Sequence, residues 1–167
     1  MKLDVQIDDY QHVLLRMAKR VRTMMTTSLQ SLSDGDKKIA LEVIEMDEYV
    51  NHDDQDINDR AIELLSLLQP VARDLRIVLA GIRISTDLER IAKYTIKNDL
   101  GSSKWQNEIT AVGNIFLNNY DEAIVALKNL DVNLAFNAPD NDDILDQAFK
   151  ELGKKIENEI HNNNDSI

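Results

Sequence analysis

Residues 69–93 constrain this chain more than any other stretch. Pro70 stands at their head, and no further proline or cluster of breakers occurs before Gly101. Proline tolerates the first helical position because its missing N–H would be unpaired there in any case. The spacing predicts one helix over 70–99, roughly 45 Å long at a rise of about 1.5 Å per residue. Leu75, Val78, Ile82, Ala92 and Ile96 form one apolar stripe, and Ile77, Ile84, Leu88 and Ile91 form a second beside it. A helix apolar on more than one face belongs in the middle of a bundle. Arg73, Asp74, Arg76, Arg83, Asp87, Glu89 and Arg90 are set into this surface. Glu89 continues the row 75, 78, 82, 85, 89, 92 and is expected to point inward.

The rest of the chain has the same period. Two prolines, five glycines and no alternating strand pattern point to an all-α fold. A first helix is expected over 8–32, with Leu14, Met17, Val21, Met24, Ser28 and Leu32 at three- and four-residue steps, the spacing of a bundle seam. A turn at 33–36 leads to a second helix running to about Leu68, with Val43, Met46, Val50, Ile57, Ala61, Leu64 and Leu68 on one face. Asp54 interrupts that seam. Asp47, Asn51 and Asp54 lie in a row on its flank, while 52–59 reads as a solvated acidic face. Gly101, Ser102 and Ser103 are expected to end the third helix and cap a fourth, which runs to about Leu130 along Ile109, Val112, Phe116, Tyr120, Ile124 and Leu127. Pro139 is expected to open a fifth, with Asp140, Asp142 and Asp143 in its first turn and Leu145, Ala148, Leu152, Ile156 and Ile160 facing inward. From His161 onward nothing is left to bury, and 162–167 is expected to fray.

Charge narrows the choice of partner. The 167 residues carry a net charge of −11, a field that repels nucleic acid and anionic lipid. Free phosphate would be repelled as well, so a simple anion pocket is disfavoured. There is no cysteine, hence no disulfide framework and no thiolate metal site. No apolar run reaches membrane-spanning length and the N-terminus has no signal-like apolar region, so a cytoplasmic location is the expectation.

Two blocks inside the long helix, Gln69-Pro-Val-Ala-Arg-Asp-Leu-Arg76 and Asp87-Leu-Glu-Arg-Ile91, resemble the signature of the PhoU family of phosphate-uptake regulators. Pro70, Ala72, Asp74, Leu75, Arg76, Asp87, Leu88, Glu89 and Arg90 carry the resemblance. It implies a spectrin-like antiparallel helical bundle built from tandem three-helix units. It also implies a non-enzymatic adaptor in phosphate-starvation signalling, acting on the ATP-binding subunit of the phosphate ABC transporter or on a sensor histidine kinase. A generic helical adaptor and a carboxylate-rich metal-binding bundle are the alternatives that the residues themselves leave open.

A shift of 95 residues superposes Leu29 on Ile124, Leu32 on Leu127, Asp36 on Asp131, Ala40 on Ala135, Asp47 on Asp142, Val50 on Leu145 and Ile57 on Leu152, with no gap. The expected organisation is a complete three-helix bundle over 8–100 and an incomplete second repeat, a helical hairpin, over 102–161. Such a hairpin leaves its seam wet, at about 25 cal/mol per Å² of apolar surface. A homodimer in which two hairpins of residues 104–160 form a four-helix arrangement is the expected remedy.

Chemistry is sparse. In the family a glutamate and an aspartate four residues apart on the signature helix are associated with metal clusters. Glu89 holds the first place, but Lys93 stands at the second. An ammonium cannot ligate a cation, and Glu followed by Lys at this spacing makes an intrahelical pair instead. No metal and no cofactor are therefore expected, with Asp47, Asp54 and Glu89 the residues to inspect. There is no Gly-rich loop, nucleophile elbow or Glu-x-x-His pair, so no catalytic residue is assigned. Arg76, Arg83 and Arg90 recur every seven residues. Asp74 and Arg76 are expected to join an ion-pair lattice with the second helix, and Arg83 and Arg90 to contact an acidic partner.

Overall fold

The computed structural model describes residues 3–96 and 104–164, with the backbone alone at 37, 138–141 and 162–164. Among them are five α-helices and no strand: α1 (Leu3–Asp34), α2 (Lys37–Glu63), α3 (Ala72–Ile96), α4 (Gln106–Asn129) and α5 (Val132–Asn164). They fall into two units, Met1–Gly101 and Ser102–Ile167. The expected caps at Gly101, Ser102 and Ser103 lie outside the described residues.

In the first unit α1, α2 and α3 pack pairwise into a three-helix bundle. Its core comes from Tyr10, Met17, Val21 and Met24 on α1, Val43, Val50, Ile57 and Ala61 on α2, and Val78, Leu88 and Ala92 on α3. Each fully buried aliphatic side chain contributes about 1.5–3 kcal/mol relative to exposure. On α3 the buried positions are Val78, Gly81, Ser85, Leu88 and Ala92, steps of three and four that define a single seam. Leu75, Ile77, Ile82, Ile84 and Ile91 are half-buried on its two flanks, where α1 and α2 close over them.

α1 and α3 pack closely where Tyr10 meets Gly81. Tyr10 is fully buried, and its hydroxyl donates to the Val78 carbonyl oxygen at 2.9 Å. Its ring fills the space that a Cβ on Gly81 would need, so glycine there is a packing requirement. Burial pushes the phenol up to about 12.

Helix ends depart from expectation in four places. α1 starts at Leu3, five residues before the expected position 8. Pro70 is buried but precedes α3, which starts at Ala72, because Gln69 (φ 47°) and Ala72 (φ 49°) take left-handed conformations around it. A π-helical turn, Leu64–Leu68, carries α2 into this corner. α5 does not open at Pro139: Asp131 Oδ1 accepts from the Asn133 and Leu134 backbone N–H groups at 2.9 and 3.1 Å, an N-cap that starts the helix at Val132. α5 also runs to Asn164, beyond the predicted fraying point, while 165–167 lie outside the described residues.

The hairpin unit packs α4 against α5 along Leu117, Tyr120 and Ala126, with Phe116 and Tyr120 rings 6.5 Å apart. Its turn shares two backbone hydrogen bonds with that of α1–α2 at an offset of 95. The Asp36 N–H donates to Ser31 O and the Asp131 N–H to Ala126 O; the Ala40 N–H donates to Asp36 O and the Ala135 N–H to Asp131 O. The left-handed residue is Gly35 (φ 66°) in the first turn but Leu130 (φ 50°) in the second, where a side chain is strained.

Gly81→Ala is expected to destabilise the first unit by about 1–3 kcal/mol through overpacking against Tyr10, and Tyr10→Phe by about 1 kcal/mol through the lost hydrogen bond. Leu130→Gly is expected to stabilise the hairpin by up to about 1 kcal/mol. Thermal and urea unfolding of the full chain measure all three.

Candidate functional site

The chemistry-bearing residues lie on both sides of α3 and on the facing surfaces of α1 and α2. Buried charge sits between α1 and α2. Asp53 is 1 % exposed. Its Oδ1 accepts from Arg16 Nε at 3.1 Å and Nη2 at 2.7 Å, and its Oδ2 lies 2.8 Å from Arg20 Nε as an ion pair outside hydrogen-bond alignment. Arg16 also reaches Asp56 at 3.2 Å, and Arg60 Nε donates to Asp56 at 2.7 Å. The hydrogen bonds with Asp53 raise the Arg16 guanidinium above its ordinary value despite partial burial. Burial alone would raise Asp56, but the bonds from Arg60 and Arg16 outweigh it and hold the carboxyl below the usual range. Arg20 extends the network by lying 5.3 Å from the Tyr49 ring centroid.

This network corrects two expectations. Residues 52–59 are not a uniformly solvated face: Asp53 lies three residues after Val50 and four before Ile57, and so falls on the buried row. The predicted lattice joining Asp74 and Arg76 to the second helix is absent among the described residues. Arg76 lies opposite the buried seam and is exposed. The signal for the true network was in the sequence as Arg16 and Arg20, one turn apart on the first helix, facing an aspartate on an apolar row.

The outer face of α3 carries Arg76, Arg83 and Arg90, all exposed, with Leu79 and Tyr94 beside them. Arg90 lies 3.6 Å from Asp87, with both side chains well solvated. Arg83 makes no ion pair with a described residue. Of the other signature positions, Pro70 and Leu88 are buried, Asp74, Leu75 and Glu89 are half-buried, and Ala72 and Asp87 are exposed. The signature therefore spans both faces of one helix.

Glu89 keeps 21 % of its side-chain exposure and is paired with Lys93, the i, i+4 partner. On α2, Asn51 donates to Asp47 at 3.1 Å and Asn58 to Asp54 at 3.2 Å. Asp47 Oδ1 and Asp54 Oδ1 are buried without a hydrogen-bond partner. Among the described residues no three His, Asp or Glu side chains converge as a cation site would require, and Lys93 occupies Glu89. The donor set does not fit the metal clusters that the resemblance implied.

A family model described as the PhoU domain matches residues 14–97, the three helices of the first unit. The chain belongs to the PhoU family. It is similar to the phosphate-specific transport system accessory protein PhoU homologs of Pseudomonas aeruginosa (25 % identical, covering 89 % of this chain and 65 % of that one) and Aquifex aeolicus (24 %, 93 % and 74 %). Against PhoU homolog 2 of Thermotoga maritima it is 30 % identical over 54 % of this chain and 38 % of that one. It spans 65 % of the length of the Pseudomonas aeruginosa homolog and 62 % of that of the Pseudomonas putida homolog. The same fold occurs in the crystal structures of the phosphate transport system regulatory protein PhoU from Streptococcus pneumoniae (TM-score 0.80, 23 % identity, 93 % of this chain and 77 % of that one) and PhoU from Pseudomonas aeruginosa (0.82, 22 %, 96 % and 81 %). The family thus adopts the all-α bundle that the periodicity predicts. No helix among the described residues is long and apolar enough to cross a membrane.

Because the folded Asp56 carboxyl titrates below its unfolded value, its contribution to stability is complete above the ordinary aspartate range and is lost as pH falls through the folded value. Acid unfolding of the wild type is expected to show this loss, and Asp56→Asn to flatten it. Asp53→Ala is expected to cost about 2 kcal/mol at neutral pH by removing charged hydrogen bonds between α1 and α2. Urea titrations across pH check both.

Proposed function

We propose that this chain is a non-enzymatic, cytoplasmic regulator of phosphate uptake that works by protein–protein contact. Its target is the ATP-binding subunit of the phosphate ABC transporter or a sensor histidine kinase. The observation that carries this reading is the match of the PhoU domain to the unit built around α3. The relatives it resembles are accessory proteins of phosphate-specific transport.

Arg83 and Arg90 on the outer face of α3 are the proposed contact residues. In a chain of net charge −11 an exposed row of guanidinium groups repels least, and grips best, a partner that presents carboxylates. Self-association through 104–160 belongs to the same reading. Phe136, Ile144, Phe149 and Ile160 leave large apolar side chains of α5 in water, and a second copy would cover such a surface.

Deleting the gene in its host is expected to derepress phosphate uptake in phosphate-rich medium by several-fold. The wild-type chain should restore repression, and the Arg83→Glu, Arg90→Glu double variant, folded by circular dichroism, should not. Unchanged phosphate uptake after deletion would contradict the reading.

A further inference from the structure

The corner between α2 and α3 has features that the bundle does not need. Gln69 and Ala72 sit in left-handed backbone at a cost on the order of 1 kcal/mol each, where glycine would be free of strain. Leu67 and Val71 project from this corner 71 % and 73 % exposed, with Pro70 buried between them. Arg73 and Arg76 follow on the exposed side, and neither makes an ion pair with a described residue. The corner is thus an apolar tip with two exposed guanidinium groups behind it.

The hairpin carries the complementary surface. A groove of about 410 Å³ on the flank of α4–α5 is lined by Ile115, Ile144 and Ala148, with Asp143, Gln147 and Glu151 around them. Gln147 donates to Glu151 at 2.7 Å, and none of the lining residues is a cation. An apolar floor ringed by carboxylates matches an apolar tip backed by guanidinium groups in both polarity and charge.

We propose that the α2–α3 corner of one copy docks into the α4–α5 groove of a second copy. Leu67 and Val71 then cover Ile115, Ile144 and Ala148, while Arg73 and Arg76 face Asp143 and Glu151. Each copy carries both surfaces, and a pair that makes the contact twice leaves neither surface free to polymerise. This deepens the self-association reading above and rests on it, naming what covers the hairpin.

The sequence has no cysteine, so engineered pairs report cleanly. Light scattering of the wild-type chain comes first, and Val71→Cys with Ala148→Cys in one chain is then oxidised and run on a non-reducing gel. A dimeric wild type and a disulfide-linked dimer of the double variant, with each single variant unlinked, is the expected result. Arg73→Glu with Arg76→Glu should weaken the dimer about tenfold, and adding Asp143→Lys with Glu151→Lys should restore it. A dimeric wild type whose double cysteine variant stays unlinked, as when hairpin packs on hairpin, overturns the inference but leaves self-association standing. An internally closed monomer, in which the corner covers its own hairpin, also overturns it. A wild type that remains at 19.0 kDa overturns both.

Discussion

The crossing of α1 over α3 at Tyr10 and Gly81 sets the distance on which the first unit depends. With no Cβ at position 81, the two backbones come close enough for a buried tyrosine hydroxyl to reach a main-chain carbonyl across the bundle. That one hydrogen bond satisfies a polar group which would otherwise be costly in an apolar interior. It also fixes the rotation of α3. Once Val78, Gly81 and Ser85 face α1, geometry leaves Arg76, Arg83 and Arg90 on the opposite side, because seven residues bring a helix back almost to the same angle.

A second constraint holds α2 in place. Asp53 has lost its water and is neutralised from α1 by Arg16 and Arg20, whose own heads remain partly solvated. Such an arrangement contributes less net stability than its short distances suggest, since desolvation of the carboxylate offsets the attraction. It does specify register: sliding α2 by one turn would bury a carboxylate with no cation opposite. The core fixes which faces meet, and the ion pair fixes how far along they meet.

Much of this was legible in the sequence, because helical periodicity is a local property. The seams of α1 and α2 fall where alternating steps of three and four placed them, and the 69–91 signature was visible as residue types at fixed spacing; on α4 only Tyr120 of the expected row is buried, with Leu117 and Ala126 beside it. Events between helices were not. Asp53 looked like one more member of an acidic run, since no local rule tells that two arginines some thirty residues earlier will reach it. Arg76 looked like a lattice partner because its outward angle depends on the Gly81 contact. Asp131 is a quieter signal for a helix start than Pro139, and the two compete within one stretch. Gln69 and Ala72 could not be foreseen as left-handed, because nothing in either residue type favours that conformation.

The central claim is that α3 is two-faced, with one seam locked into the bundle and the opposite row of arginines exposed. Thiol labelling of the native chain tests it most directly, using single cysteines introduced in turn at Val78, Ser85, Ala92, Arg83 and Arg90. The account predicts that the last two react at the rate of a free thiol and the first three only on unfolding. Comparable labelling rates at all five positions, or protection of the Arg83 and Arg90 positions in the isolated chain, would contradict it.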